Sequence, residues 1–376
     1  MRSLDACRGA AASLVVSIHA LLLLLVGAAR DVREVVLTAR GLVILFFLIS
    51  GFCIHYQQVR GFRDRPSSAE PRPLRVRRYA RRRFLRIYPA VVAAIAFTLA
   101  CDALGLLIAP DMVSGHTGLF YIDFVFNGTH YTPMAIISAV FVQGGVFAPS
   151  IGTNGPLWSL GFEVWYYALY PVLWLTSRGG VKRGLSLVAI VSITALGGEL
   201  LAGWYGVAGV LARWGIWYAG ALLAEAYVGK LRMPPRYVYL PVAAGLIWAH
   251  FALSWRLEFY DYGAAFFCMF LLQTILTPGS RLKAQVLEAF NGAFEAIGRM
   301  AFSLFLVHFP WLSLLSVWWL TTHQGHLPNN PLLVVFGITS SFGLAVVFYR
   351  LVEKRFRNEN PRQERSRLAE MPLAAN

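Results

Sequence analysis

This sequence is poor in charge. Charged residues fill 14% of its 376 positions, against about 25% in an ordinary soluble domain. Acids are the scarcer sign: 19 Asp and Glu stand against 34 Lys and Arg, a formal net charge of +15. So little charge beside so much apolar surface excludes both a soluble globule and a disordered chain. Cysteine is scarce too. Cys7, Cys53, Cys101 and Cys268 are the four. None forms a CxxC pair, and no His/Cys cluster has metal-ligand spacing, so neither a disulfide framework nor a metal is expected. There is no internal repeat and no appended soluble domain. No clear cleavage site follows the first apolar stretch, which therefore reads as a retained helix.

What the chain has is apolar length. Hydrophobic residues make up 57% and the mean hydropathy is +0.56. They fall in blocks of about 20, the length of a helix that crosses a bilayer. The pattern predicts an all-α, polytopic membrane protein with about ten transmembrane helices. These are Ala10–Ala28, Gly41–Tyr56, Tyr88–Ala109, Leu157–Leu175, Leu185–Ala202, Val207–Val228, Val238–Leu253, Tyr260–Thr277, Met300–Leu320 and Leu332–Leu351. Basic residues collect between them, above all in Gln57–Arg86, with eleven arginines against Asp64 and Glu70. Cytoplasmic loops are rich in Lys and Arg, and ten spans put every basic loop and both termini on the cytoplasmic side. That placement accounts for the net charge without nucleic acid. Met134–Phe147 is apolar but short, and reads as re-entrant, interfacial or buried. Residues 1–357 form one transmembrane domain and 358–376 a flexible cytoplasmic tail.

Ionisable groups inside a bilayer are costly and are functional candidates by default. His19 falls near the middle of the first span and Glu163 in the outer half of the fourth. Glu199, Glu225, Glu353, His55 and His308 fall nearer span ends, where a side chain can reach the interface. Arg8 and His19 are eleven positions apart, close to three helical turns, so they share a face about 16 Å apart. One face thus carries a cation at the entrance and an imidazole inside, which fits a path for an anionic or ester-bearing substrate. Gly155-Pro156 breaks the chain, and Pro156 suits the first turn of a new helix. On that helix Ser159 and Glu163 are i, i+4 neighbours. Paired with His19, Glu163 would hold the imidazole as the acid does in a Ser-His-Asp system. Arg83 and Arg86, at i, i+3, suit phosphate.

Six segments together resemble the acyltransferase-3 family of integral membrane acyltransferases. They are Leu4 to Ala20 with Arg8 and His19, Phe46 to Phe52, and Arg82-Arg83-Phe84-Leu85-Arg86-Ile87-Tyr88-Pro89. Then come Pro156-Leu157-Trp158-Ser159-Leu160 with Glu163, Ala301 to Pro310 with His308, and Val352-Glu353-Lys354. They occur in the family's order and run from residue 4 to about 355. Cys7 and Ile49 depart from the commoner residues at positions that touch no chemistry. The chain resembles the stand-alone form, without a C-terminal esterase-like domain.

The resemblance implies transfer of an acyl group, commonly acetyl, from cytoplasmic acyl-coenzyme A. The acceptor would be a hydroxyl on an extracytoplasmic glycan, glycolipid or small molecule, at a bacterial plasma (inner) membrane. Arg8 and His19 take the family's essential pair and Glu163 its acidic residue. Arg82, Arg83 and Arg86 take its arginine motif, for coenzyme A. His19 would act as general base, or first accept the acyl group. Trp158 and Ser159 are candidates for holding substrate. The residues alone suit a proton-coupled transporter or flippase equally well; the ordered motifs favour the enzyme.

Overall fold

The computed structural model describes residues 1–25, 32–61, 73–113, 151–203, 206–253, 256–326 and 328–356. Three sequence readings lie outside the described residues: Met134–Phe147, the centre of the arginine-rich loop (62–72), and the tail 358–376.

Each expected span has its helix. They are α1 (Arg2–Leu24), α2 (Val32–Val59), α3 (Val76–Ile108), α4 (Trp158–Ser177) and α5 (Val181–Ala202). Then follow α6, in two pieces (Val207–Ala212 and Trp214–Tyr227), α7 (Tyr239–Ala252), α8 (Leu257–Leu276), α9 (Arg281–Thr322) and α10 (Pro331–Phe348). Eight of the ten are long and apolar enough to cross a membrane. The exceptions have reasons. α7 has 14 residues, about 21 Å of helix against a hydrocarbon core of about 30 Å. Six of the 20 residues of α4 are Trp or Tyr, which carry a polar handle and lower its hydropathy.

Local chemistry sets the helix ends. Ser280 accepts a hydrogen bond from the Lys283 amide to start α9. Asn330 does the same for the Leu332 amide ahead of Pro331 at the start of α10, a cap followed by a pre-set φ. Gly155–Leu157 forms a 3₁₀ turn that delivers the chain into α4. α4 stops where Arg178 and Gly179 turn left-handed, at φ 51° and 68°.

In lipid, helices associate through close packing and interhelical hydrogen bonds, since the tails are as apolar as leucine. Two glycine contacts build the scaffold. A Cβ on Gly9 would meet the Phe294 carbonyl oxygen at 2.2 Å, and one on Gly298 the Asp5 carbonyl oxygen at 1.8 Å. Only glycine lets the α1 and α9 backbones touch there. α2 and α6 meet the same way at Gly51 and Gly220. Around that second contact Phe52, Tyr166, Tyr170 and Trp217 are fully buried, and Trp217 Nε1–H donates to Ser50 Oγ at 3.3 Å.

α1 and α9 run parallel: Arg2 pairs with Glu295, Gly9 abuts Gly298 and His19 meets His308, in ascending register. Seven described helices separate them in the chain, and parallel neighbours require an odd number of crossings between them. α9 has 42 residues, about 63 Å, roughly twice the hydrocarbon thickness. Its protruding first turns hold Arg2 through Glu288 and Glu295 at 3.1 and 2.8 Å. α1 therefore begins eight residues before the apolar block does.

Candidate functional site

The helices around Arg8 border a cavity whose empty space, its solvent-open mouth included, is about 1020 Å³. Five helices supply most of its polar wall. α1 gives Asp5 and Arg8, α2 gives Ser50 and Cys53, and α3 gives Arg83 and Arg86. α4 gives Ser159, Glu163 and Tyr167, and α9 gives Arg299. Phe46, Phe47, Leu160, Phe302 and Phe305 line the apolar side. On α4, Ser159, Glu163 and Tyr167 follow at one-turn steps, so the cavity runs about 12 Å along that helix.

Arg8 is held on both sides. Its Nη1 donates to Asp5 Oδ1 at 2.9 Å and its Nη2 to Cys53 Sγ at 3.2 Å. Arg83 lies between two aromatic faces, 5.6 Å from the Tyr79 ring centre and 5.3 Å from that of Tyr167. Cation–π contact fixes such a guanidinium without consuming its N–H donors. Its Nε is buried with no hydrogen-bond partner among the described residues, a donor left over for a ligand, since a buried unsatisfied donor is otherwise costly. Tyr79 Oη–H donates to the Tyr167 carbonyl at 3.1 Å and ties α3 to α4. Glu353, in the π-helical turn Tyr349–Glu353 that ends α10, also lines the cavity and accepts from Ser303 N–H at 3.2 Å and Oγ–H at 2.5 Å.

The sequence-derived residues divide. Arg8, Arg83, Arg86, Ser159 and Glu163 come together on this cavity. Arg82 is exposed and lies off the cavity wall, as the helical step from Arg83 requires. Trp158 lies off it too, beneath the Arg40 guanidinium at 5.0 Å. His19 is one step away. Its Nδ1 lies 2.9 Å from His308 Nε2, and Phe305, one turn before His308 on α9, lines the cavity.

Two expectations are corrected. Glu163 does not pair with His19: it accepts a hydrogen bond from Tyr167 Oη–H, and His19 takes His308. The Gly9–Gly298 contact places α9, not α4, against α1 at that level, while α4 packs on α2, α3 and α5. Nor do the groups expected at span ends reach the interface. His308 is fully buried in mid-helix. His55 is buried between Tyr170 Oη at 3.1 Å and Glu225 Oε1 at 2.8 Å. Glu199 is buried against Arg213 at 2.9 Å. Each has a partner on a neighbouring helix, which costs less than stretching to water.

Tyr167, Arg299 and Cys53 escaped the sequence reading as site residues, and His308 was read as a span-end candidate and not as a partner of His19. Tyr167 continues the Ser159–Glu163 stripe by one more turn, a signal that was present. Arg299 looked like any basic loop residue, and the partners of Cys53 and His308 lie 45 and 289 positions away.

One family model, described as an acyltransferase domain, matches residues 1–350. No curated protein and no solved structure matches the chain.

Proposed function

The chain belongs to the acyltransferase-3 family and is a multi-pass membrane acyltransferase, and from that premise we propose the reaction and its sides. The protein moves an acyl group, acetyl by default, from cytoplasmic acyl-coenzyme A to a hydroxyl of an extracytoplasmic glycan, glycolipid or small molecule. It sits in a bacterial plasma membrane with both termini in the cytoplasm. One observation carries the reading. The cavity gathers Arg8, Arg83, Arg86 and Arg299 from three helices, α1, α3 and α9, a collar suited to a polyanionic donor.

The donor phosphates engage Arg83, Arg86 and Arg299, with the unsatisfied Arg83 Nε among the donors. The slender thioester arm passes Arg8 and the phenylalanine wall toward His19. His19 is the base. The acceptor O–H bond breaks as its proton passes to the imidazole, and the oxygen bonds the thioester carbonyl carbon. The C–S bond then breaks, and the proton returns to the departing thiolate. A positioned base contributes about 10²–10⁴-fold. Glu163 with Tyr167 shapes the wall beside Arg83 instead of orienting the base.

The test is calorimetry on the purified protein in detergent, titrated with coenzyme A and acetyl-coenzyme A. Wild type is expected to bind and the Arg83→Ala/Arg86→Ala double variant to lose binding. A well-folded wild type that binds neither would overturn the donor assignment and favour proton-coupled transport.

A further inference from the structure

Among the described residues His308 meets two carbonyl acceptors, one imidazole nitrogen and no carboxylate. Its Nδ1 lies 2.9 Å from both the Leu304 and the Phe305 carbonyl oxygens. A carbonyl only accepts, so Nδ1 of His308 must carry the hydrogen. In the neutral ring, Nε2 is then a lone pair. That lone pair faces His19 Nδ1 at 2.9 Å, so His19 Nδ1 must donate. The two rings are 9° from coplanar with centroids 5.2 Å apart, about what two ring radii and that contact span. They therefore meet edge to edge along one N–H···N line and do not overlap as a stack. Phe309 meets His19 at right angles, 5.0 Å between centroids, and blocks a swing of the ring. The remaining nitrogen, His19 Nε2, has no hydrogen-bond partner among the described residues, although His19 itself is only half-buried.

We propose that His308 is a positioning residue: anchored by the Leu304 and Phe305 carbonyls, it fixes His19 in the Nδ1–H tautomer, so that Nε2 is the bare nitrogen that does the chemistry. The role rests on His19 being the reactive group of the proposed reaction, but the tautomer can be read without it. The dyad replaces the acid of a Ser-His-Asp system by a neutral ring. A neutral acceptor still orients the imidazole and shares the charge that appears when Nε2 takes a proton, without placing a carboxylate in the membrane interior, where ions are costly. Proton abstraction and acyl acceptance by His19 both need this same lone pair.

The helix supports the arrangement. Pro310 has no N–H for the Leu306 carbonyl one turn back, and Asn154 Nδ2 fills that gap at 3.0 Å. The Leu304 and Phe305 carbonyls lie just ahead of that break, and each can receive both a helical N–H and the His308 ring, since a carbonyl has two lone pairs.

The experiment is nitrogen NMR of ¹⁵N-histidine-labelled protein at mildly alkaline pH, with His19 assigned by its loss in His19→Ala. Wild-type His19 should show a protonated Nδ1 and a bare Nε2. His308→Met should mix the tautomers, and His308→Gln, whose amide oxygen can accept at the same place, should restore the wild-type pattern. In membrane vesicles, turnover of acetyl-coenzyme A read as released thiol should fall about 10–100-fold in kcat for His308→Met, as loss of a tautomer-fixing partner does elsewhere. The donor KM should not change, and His308→Gln should recover most of the rate. An Nε2–H tautomer in wild type, or a His308→Met protein with unaltered tautomer and kcat, would overturn the proposal. A wild type with the expected tautomer and no acetyl-coenzyme A turnover would leave the tautomer assignment standing and bring down the reaction instead.

Discussion

Among the described residues, two of the charge clusters inside this bundle are built on opposite plans. Around Asp261, Arg40 reaches both carboxylate oxygens at 2.5 and 2.7 Å. Arg213 bonds Asp261 at 2.5 Å and also holds Glu199 at 2.9 and 3.0 Å. Two cations face two carboxylates, and both Asp261 and Glu199 are buried. In the Arg8 cavity the carboxylates are taken up locally, Asp5 by Arg8, Glu163 by Tyr167 and Glu353 by Ser303. Arg83 and Arg86 are left facing open space. Buried charge alone therefore does not mark the site in this membrane protein. The matched cluster clamps the break in α6 to α2, α5 and α8; the unmatched one with room beside it is where an anion fits.

Substitutions can break or sharpen that contrast. The largest effect is expected for His19→Ala, with thiol release from acetyl-coenzyme A falling about 10²–10⁴-fold at unchanged thermal stability in detergent. Asp261→Ala should do the reverse. It takes the shared carboxylate from buried Arg213, leaving it Glu199 alone, and from half-buried Arg40, a loss of about 3–5 kcal/mol of stability, seen as a lower unfolding temperature, while coenzyme A affinity per folded molecule is kept. If Asp261→Ala instead stays stable and loses donor binding, the two clusters have been assigned the wrong way round. Arg83→Ala should weaken coenzyme A binding about tenfold or more, by the usual worth of a hydrogen bond to a charged group, and raising salt should weaken wild type in the same direction. Arg82→Ala, off the cavity, should stay near wild type in the same titration. Smallest is Tyr167→Phe, where loss of one hydrogen bond to Glu163 should change the rate by about threefold to tenfold, measured as acetyl-coenzyme A turnover.

The helices were legible because bilayer thickness turns apolar run length into a count. The shared face of Arg8 and His19 was legible because both belong to one helix, and so was the Ser159–Glu163 stripe. The partners of those residues were not. Whether His19 meets Glu163 or His308 depends on which helix α1 touches, and two glycines decide that, Gly9 and Gly298. Each is unremarkable alone in a chain with 33 glycines. Arg40 and Arg213 likewise read as ordinary arginines until three helices bring them to one aspartate.

The parallel run of α1 and α9 has a metrical consequence. Each helix carries an arginine low and a histidine high: Arg8 and His19 on one, Arg299 and His308 on the other. At helical rise the spacings are about 16 and 13 Å. Neither can stretch, and the glycine contact locks the two against sliding. On the proposed reaction the two together would act as a gauge for the donor. A carrier would then be sorted by the reach between its anionic anchor and its thioester, and short donors such as acyl phosphates would fall below the mark whatever acyl group they bear.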